Sequence, residues 1–333
     1  MDFAILRRFF YSQFFVTPPY PSPSTAPYYD CTGKTIIVTG ANVGLGKEAA
    51  RHFVKLGAER VILGVRSVEK GQAAKQDIEE SENRPGVVEV WSLDLLNYES
   101  VKEFAKKVEG LKRLDSIVEN AGIATYDFKL VEGNEATITT NVVSTFLLAF
   151  LVLPKLKETA QKFNVTPNLT IVSSEVHFMT TIAAERAAAG PAGLFAALND
   201  KSVANMSDRY NVSKLLEVFT VRELCATRAK DPYPVTINYL NPGLCHSELM
   251  REVGLGGYIF KLLVARTTEV GSRTLVHAGL APHDTHGQYL SDSHIDPPSK
   301  FVRSDEGAQV QRQVWEELSR KLEEIEPGVL RNI

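Results

Sequence analysis

The clearest pattern along the chain is a series of short apolar runs, each followed by a longer segment with apolar positions at helical spacing. Six runs predict buried strands, and a seventh short strand is predicted near the C-terminus: residues 34–39, 60–65, 87–93, 113–119, 169–174, 234–240 and 287–290. Strands that alternate with helices pair in parallel through right-handed crossovers. The pattern therefore predicts an α/β fold with a single doubly wound parallel sheet of about seven strands flanked by helices.

Four segments between or after the strands have a distinctive composition. The helix predicted from about residue 131 is apolar on both faces, so we expect it to be buried against the sheet or against another subunit. The last helix, at 304–325, has many charged residues and is expected to be exposed. The Ala/Gly-rich connection at about 175–206 and the apolar loop 244–266 are predicted to be insertions that cover a ligand.

The first 30 residues form an arm that differs from the remaining single domain, residues 31–333. Residues 1–16 are rich in phenylalanine, and a proline-rich linker follows. Two interpretations stay open for the arm: a helix packed on the domain's own surface, or a helix that makes peripheral contact with a membrane or a partner. No apolar run is long enough to predict a transmembrane helix.

Composition narrows the function classes. A net charge of −3 gives no basic footprint for nucleic acid. The three cysteines are widely spaced and fit neither a metal pattern nor a disulfide framework. We therefore expect no metal site and a reducing compartment, either the cytoplasm or the surface of a membrane.

A glycine-rich turn follows the first strand. Gly40, Gly44 and Gly46 lead from that strand into a helix, an arrangement that lets the backbone approach a phosphate at the helix N-terminus. The spacing differs from the common dinucleotide fingerprint, and a simple tight turn is the alternative.

Two residues at later strand ends concern the adenosine half of a cofactor. Arg66 ends the second strand, at the position where many dinucleotide-binding folds have an acidic residue that holds a ribose hydroxyl. An arginine there favours a 2′-phosphate, so NADP(H) is predicted over NAD(H). The alternative interpretation is that Arg66 is a solvated arginine at a strand end, with no role in cofactor binding. Asp94 is either an adenine contact or a helix N-cap.

A second group of residues indicates acid–base chemistry. Tyr210 and Lys214 lie four residues apart, and a nearby ammonium lowers the pKa of a phenol, so Tyr210 is a candidate general acid/base. Ser174, with Ser173 beside it, ends a strand at the edge where open α/β sheets bind ligands. Asn141 is polar within an apolar helix, and is therefore either a satisfied core residue or part of a site.

With these motifs in order, the chain resembles the short-chain dehydrogenase/reductase family over about residues 32–295, and within it the retinol-dehydrogenase-like branch and its fungal members. The branch is indicated by residues 39–42, 66–71 and 287–292 and by the C-terminal helix around Trp315. The resemblance implies a Rossmann-type fold and an oxidoreductase. In this chain Glu119 replaces a common asparagine, residues 142–145 differ from the retinol branch, and the connection from Ser174 to Tyr210 is long.

The resemblance also implies a role for each matching residue. Tyr210 would exchange a proton with the substrate oxygen, and Lys214 would lower the pKa of Tyr210 and bind the nicotinamide ribose. Ser174 would orient the carbonyl, and Asn141 would hold a water. The cofactor-binding positions implied are Gly40, Asn42, Gly44, Leu45, Gly46, Arg66, Asp94, Asn120, Ala121, Gly122, Tyr210, Lys214, Pro242, Gly243, Leu244 and Ser247.

The function predicted is an NADPH-dependent carbonyl reductase or alcohol dehydrogenase that acts on an apolar ketone or aldehyde, in fungal secondary metabolism. The alternative is a non-catalytic NADP(H)-binding regulatory or scaffold protein. The apolar helix around Asn141 is consistent with a homodimer or homotetramer.

Overall fold

A computed structural model describes residues 3–246 and 262–333. The strands of this part are β1 Thr35–Thr39, β2 Arg60–Val65, β3 Val88–Ser92, β4 Ser116–Glu119, β5 Leu130–Val131, β6 Asn134–Glu135, β7 Asn168–Val172, β8 Thr236–Asn241, β9 Tyr289–Ser291 and β10 His294–Ile295. Within the described ranges, eight of them form one sheet in the order β10-β9-β8-β7-β4-β1-β2-β3. All neighbours are parallel except β9 and β10, so the predicted doubly wound α/β fold is confirmed.

The helices are α1 Phe3–Phe15, α2 Gly44–Lys55, α3 Val68–Glu82, α4 Tyr98–Glu109, α5 Ala136–Ile138, α6 Thr145–Phe163, α7 Ala183–Ala188, α8 Leu194–Leu198, α9 Arg209–Thr227, α10 Thr268–Leu280 and α11 Asp305–Ile325. Local sequence explains several of their ends. The Ser67 hydroxyl caps α3 by accepting from the Lys70 amide, and α3 ends at Asn83 in the left-handed conformation (φ 50°). Thr267 and Ser304 cap α10 and α11 in the same way.

Two hydrophobic cores lie on opposite faces of the sheet. One includes apolar side chains of α4, α6, α9 and α11, and the other those of α2, α3 and α10. The carboxyl ends of the parallel strands consequently meet at one edge between two helical layers, which is where ligands bind in this architecture.

Two sequence-based expectations were wrong in detail, and a third predicted segment proves to contain helices. A short hairpin of β5 and β6 occupies residues 130–135, so the helix expected from residue 131 begins at Ala136. The last helix, α11, is not simply exposed, because Val310, Val314 and Leu318 are buried and the helix packs against α9. The connection 175–206 contains α7 and α8.

The apolar helix from Ala136 to Phe163 is long and apolar enough to cross a membrane by length and composition alone. However, 94% of its most apolar window is buried inside the protein. It packs against α4, and residues of the turn 139–144 contact α9, so it is the central helix of one core. The chain itself covers this apolar surface, and the helix therefore gives no support to the subunit interface suggested by its sequence.

Candidate active site

The glycine turn between β1 and α2 forms a concave backbone surface. Gly40 and Gly44 have positive φ angles of 66° and 61°, which favour glycine. A Cβ on Gly46 would lie only 2.6 Å from Asn120 Nδ2 and 2.7 Å from the Gly40 carbonyl oxygen. Val43, the N-cap of α2, makes no side-chain capping bond in the described structure, so the first turn of the helix keeps its amides open. These features fit the binding of a phosphate group.

The turn after β4 is hydrogen-bonded to the end of β1, beside the glycine turn. The Thr39 hydroxyl accepts hydrogen bonds from the amides of Asn120 (3.0 Å) and Ala121 (2.9 Å), and Asn120 Nδ2 donates to the Thr39 carbonyl (2.9 Å). A Cβ on Gly40 would lie 2.9 Å from Ala121 Cα, so two adjacent strand ends approach closely. Thr39 holds both turns together, a role the sequence analysis did not assign.

The positions expected to contact the adenosine half of a cofactor lie at the ends of β2 and β3. Arg66 is exposed and makes no hydrogen bond or ion pair within the described ranges, and it directly precedes the N-cap of α3. Asp94 is half-buried, and its carboxylate accepts from the Leu96 amide (3.0 Å). Asn97, which accepts from the Ser100 amide, is the N-cap of α4, so the N-cap interpretation of Asp94 was wrong.

The other two positions of the glycine turn lie beside it. Asn42 and Leu45 are half-buried. The Leu45 side chain reaches α10, where a Cβ on Gly271 would lie 2.8 Å from Leu45 Cδ2. Leu45 thereby packs α2 against α10, as well as standing in the predicted phosphate loop.

Helix α9 is attached to the end of β7 by its lysine. The Lys214 ammonium donates to the Val172 carbonyl (2.8 Å) and to Glu217 Oε1 (2.8 Å), and the Ser173 hydroxyl donates to the Lys214 carbonyl (3.0 Å). Lys214 Nζ lies 5.7 Å from the centroid of the Tyr210 ring. The structure therefore brings the predicted tyrosine and lysine together at the sheet edge.

Ser174 completes this group. Its hydroxyl lies near the Tyr210 phenol, whose pKa it lowers, and accepts from the Val176 amide (3.3 Å). Ser174 and Tyr210 are half-buried, whereas Lys214 behind them is buried. The two hydroxyls are thus the partly accessible end of the cluster, and the ammonium is its interior end.

The electrostatics of Tyr210 differ from the sequence-based expectation. Burial raises the pKa of Tyr210, Lys214 lowers it, and Glu217 raises it again, so that the net pKa lies above its ordinary value. Burial lowers the pKa of Lys214, but Glu217 and Tyr210 outweigh this effect and hold that pKa above its usual range. Lys214 lowers the pKa of Tyr210 as predicted, but the net lowering of that pKa expected from the sequence was wrong.

Asn141 lies in a π-helical turn, Thr139–Ser144, between α5 and α6. Its amide nitrogen donates to the Ile123 carbonyl and to the Ser213 hydroxyl (both 2.9 Å), and its oxygen accepts from the Ile123 amide (2.9 Å). A Cβ on Gly122 would lie 3.1 Å from Asn141 Oδ1 and 3.9 Å from Lys214 Nζ. Asn141 is therefore a satisfied buried residue that sits beside the lysine.

The loop after β8 is held by the N-terminal arm. Gln13 Nε2 donates to the carbonyls of Leu244 (2.7 Å) and Val264 (2.9 Å), and Gln13 Oε1 accepts from the Leu244 amide (3.3 Å). Gly243 has a φ of 77° and follows Pro242. Ser247 and most of the apolar loop 244–266 lie outside the described residues.

The rest of the arm is fastened by ion pairs. Arg266 forms an ion pair with Asp292 (2.6 Å) and donates to the Val16 carbonyl (2.9 Å), while the Ser12 hydroxyl donates to Asp292. Arg8 pairs with Glu175 (3.4 Å), at the start of the connection that follows β7. The arm packs on the domain's own surface, as one of the two interpretations predicted, and sequence reasoning identified none of these partners.

His177 is a buried support for Ser174. The Ser299 amide donates to His177 Nε2 (3.3 Å), so Nδ1 carries the proton and donates to the Ser174 carbonyl (2.6 Å). Burial lowers the pKa of His177 to about 4, and nearby Arg8 lowers it as well. The imidazole is consequently neutral near pH 7 and has a structural role.

Comparisons with known proteins agree with this geometry. A family model described as "short chain dehydrogenase" matches residues 34–180. The chain is 51% identical over 329 residues to the short chain dehydrogenase/reductase dmxR8 of Cryptosporiopsis sp., covering 97% of this chain and 99% of that protein. It is 47% identical over 295 residues to the short chain dehydrogenase atnD of Emericella nidulans, covering 86% and 90%.

Among solved structures, a protein of Mycobacterium paratuberculosis matches with a TM-score of 0.65 at 26% identity, covering 89% of this chain and 97% of that one. An NADPH-bound carbonyl reductase from chicken fatty liver matches with a TM-score of 0.58 at 20% identity, covering 80% and 99%. The second likeness supports the fold alone.

Proposed function

This chain belongs to the short-chain dehydrogenase/reductase family, and we propose that within this family of oxidoreductases it interconverts an apolar ketone or aldehyde with its alcohol, using NADP(H). The observation that carries the proposal is that Tyr210 and Lys214 of α9 meet Ser174 at the carboxyl edge of the sheet, where Lys214 Nζ lies 5.7 Å from the centroid of the Tyr210 ring and donates to the Val172 carbonyl.

The residues present fit a nicotinamide cofactor. The close approach at Gly46 and the open N-terminus of α2 form a cradle for its pyrophosphate, with Asn42, Gly44 and Leu45 beside it. Asn120 to Gly122 would lie beneath the ribose, and Pro242 to Leu244 beside the nicotinamide. When bound, the cofactor supplies or accepts the hydride, and the protein contributes binding, orientation and a proton.

The preference for NADP(H) rests on Arg66. Its guanidinium is exposed and without a partner in the part of the chain that the structure describes, and the helix N-terminus that follows adds to the positive potential. A planar guanidinium suits the two charged oxygens of a 2′-phosphate. Asp94 would contact the adenine at the neighbouring strand end.

The proton chemistry is assigned to Tyr210. Its raised pKa keeps the phenol protonated near pH 7, which suits donation to a carbonyl oxygen during reduction. The Ser174 hydroxyl, which lies near the Tyr210 phenol, would orient that oxygen. Lys214 would bind the nicotinamide ribose, and Asn141 would hold a water that links the lysine to solvent. In the opposite direction, alcohol oxidation, activity should rise with pH as the phenolate forms.

An apolar substrate is inferred from the composition of the loop 244–266, which contains Met250, Leu255, Tyr258 and Phe260. The fungal origin of dmxR8 and atnD supports a role in fungal secondary metabolism. The alternative function is binding of NADP(H) without turnover, in a regulatory or scaffold role.

The cofactor assignment is tested by calorimetric titration with NADPH and with NADH at fixed ionic strength. Because charge-assisted hydrogen bonds contribute about 1.5–3 kcal/mol, Arg66→Ala should weaken NADPH binding by roughly 10- to 100-fold and leave NADH binding unchanged. Arg60→Ala, at the opposite end of β2 where Arg60 pairs with Glu89 (3.0 Å), is the matched control. Equal binding of both cofactors by the wild type would contradict the role of Arg66.

The catalytic assignment is tested with a panel of apolar ketones. Tyr210→Phe should retain NADPH binding and lose turnover by roughly 10²- to 10⁴-fold, because it removes only the acid. If the wild type binds NADPH but turns over no substrate faster than Tyr210→Phe, the non-catalytic alternative is favoured.

Exposed aromatic side chains on the arm favour a second activity, peripheral contact with a membrane. Phe3, Tyr11, Phe14 and Phe15 are exposed, the last by 78%, although the helix is attached to the domain. Because deleting the arm would also remove the contacts of Gln13, the sharper variant is Phe14→Ser with Phe15→Ser. It should reduce binding to anionic liposomes, and equal binding by the two proteins would contradict this proposal.

A further inference from the structure

Two buried carboxyl groups lie behind the catalytic cluster. Glu119 ends β4 and Glu217 lies on α9, and the two are 4% and 2% exposed. Glu217 Oε1 accepts from Lys214 Nζ at 2.8 Å. Glu217 Oε2 and Glu119 Oε1 are buried and have no hydrogen-bond partner among the described residues. Buried polar atoms without partners are rare and require an explanation.

The charges around these two buried carboxyl groups do not balance if every titratable group is ionised. Helix α9 contributes Lys214, Glu217 and Tyr210, strand β4 contributes Glu119, and the end of β7 contributes the neutral Ser173 hydroxyl and Val172 carbonyl. One ammonium and two carboxylates would leave a net negative charge buried in the core, which is costly. If one of the two carboxyl groups carries a proton, the net charge of Lys214, Glu119 and Glu217 together is zero.

The pKa shifts of Glu119 and Glu217 agree with the presence of one added proton. Burial raises the pKa of Glu119 well above its usual range, and the like charge of Glu217 raises it further. Burial also raises the pKa of Glu217, to about 7, although Lys214 and Ser173 lower it. Because such groups titrate as a pair, the proton belongs to the pair rather than to one residue.

We propose that Glu119 and Glu217 hold one proton between them beside Lys214, and that the position of this proton sets the charge that Lys214 presents to Tyr210. Both are positioning residues that act through the lysine. This inference rests on the proposed function for its effect on turnover, but not for the proton itself.

The two positions of the proton have different consequences. With the proton on Glu119, Glu217 is ionised, neutralises Lys214 and opposes formation of the Tyr210 phenolate. With the proton on Glu217, the ammonium is unopposed and favours the phenolate. The neutral asparagine that the family resemblance implies at position 119 could not hold such a proton, so this device depends on the substitution to Glu119.

The first test examines the protein without cofactor or substrate. Infrared difference spectra at about pH 8, above the pKa of Glu217, should show a protonated carboxylic acid band in the wild type that Glu119→Gln removes, because Glu217 is then ionised beside Lys214. Glu217→Gln should keep the band, since Glu119 remains buried and protonated. Glu223→Gln is the matched control: Glu223 lies on the same helix, is also buried, and accepts from Gln311 at 2.7 Å.

The second test is the pH profile of kcat for alcohol oxidation. Glu217→Gln removes the charge that opposes the phenolate, so the profile should move to lower pH by about one unit, while Glu223→Gln matches the wild type. A loss of structure alone would lower kcat without moving the profile. If Glu119→Gln does not fold, Glu119→Asn restores the residue common in the family and serves in its place.

The outcomes separate the two proposals. A band that persists in both Glu119 variants, or a Glu217→Gln profile that coincides with the wild type, overturns the shared proton. Absence of turnover in the wild type, with the band behaving as predicted, contradicts the proposed function and leaves the carboxyl pair intact.

Discussion

The buried His177 makes the stability of this protein sensitive to acid, with a magnitude that follows from its surroundings. The ring is fully buried, and its protonated form would put a second donor where Nε2 accepts from the Ser299 amide. Its pKa is about 4 in the folded protein, against 6.5 for an ordinary histidine. The unfolded chain therefore binds more protons than the folded one between these values.

The sign and size of the effect follow directly. The stabilising contribution of neutral His177 is complete above pH 6.5 and is lost as the pH falls towards 4. A difference of about 2.5 pH units at 1.36 kcal/mol per unit corresponds to about 3 kcal/mol of unfolding free energy. Glu217 contributes with the opposite sign: its pKa is raised to about 7, so its contribution is complete below 4.5 and is lost as the pH rises through 7.

Several groups change the unfolding free energy with pH, so the assay must separate the contribution of His177 from the others. Urea unfolding of the wild type and His177→Asn, measured at intervals from about pH 7 to pH 4, gives the difference in unfolding free energy at each pH. Asparagine keeps a donor near Nδ1 but cannot be protonated in this range. The difference should shrink by about 3 kcal/mol on acidification. A difference independent of pH would refute the reasoning, and His294→Asn, at an exposed position, is the control.

Two further predictions concern the glycine turn and the arm. Gly46→Ala should lower the unfolding free energy by about 1–3 kcal/mol and weaken NADPH binding, because its Cβ would lie 2.6 Å from Asn120 Nδ2; unchanged urea unfolding and calorimetry would contradict the close approach. Gln13→Ala should speed hydrogen exchange at the Leu244 amide about tenfold, because it removes the acceptor of that amide, and equal exchange rates would show that the arm does not hold the loop.

The features that local sequence determines were predictable. Short β-branched runs placed the strands to within a few residues. The ends of α3 are also set locally, because the hydroxyl cap of Ser67 and the left-handed Asn83 act within one turn of chain. Tyr210 and Lys214 could be paired because helical spacing alone puts them on one face.

The features that depend on contacts between distant segments were not predictable. Glu217 has the sequence context of an ordinary helix residue, and only the packing of α9 against β8 and its hydrogen bonds to the end of β7 show that it is buried. The net pKa of Tyr210 depends on that same burial, so the sequence indicated the effect of Lys214 but not the larger opposing one. The apolar side of α11 was likewise hidden among charged residues and became evident only through its contact with α9.

The arm that fastens the loop after β8 also has a consequence for biosynthesis. Arg8 and Ser12 leave the ribosome among the first residues, but their partners Asp296 and Asp292 lie 288 and 280 positions later. At 5–20 residues per second, this separation corresponds to roughly 15–60 s of translation. During that interval the aromatic helix has no surface to dock on, so the nascent chain exposes its phenylalanine side chains until β9 and β10 have been made. The docking of α1 must therefore follow the synthesis of Asp292 and Asp296.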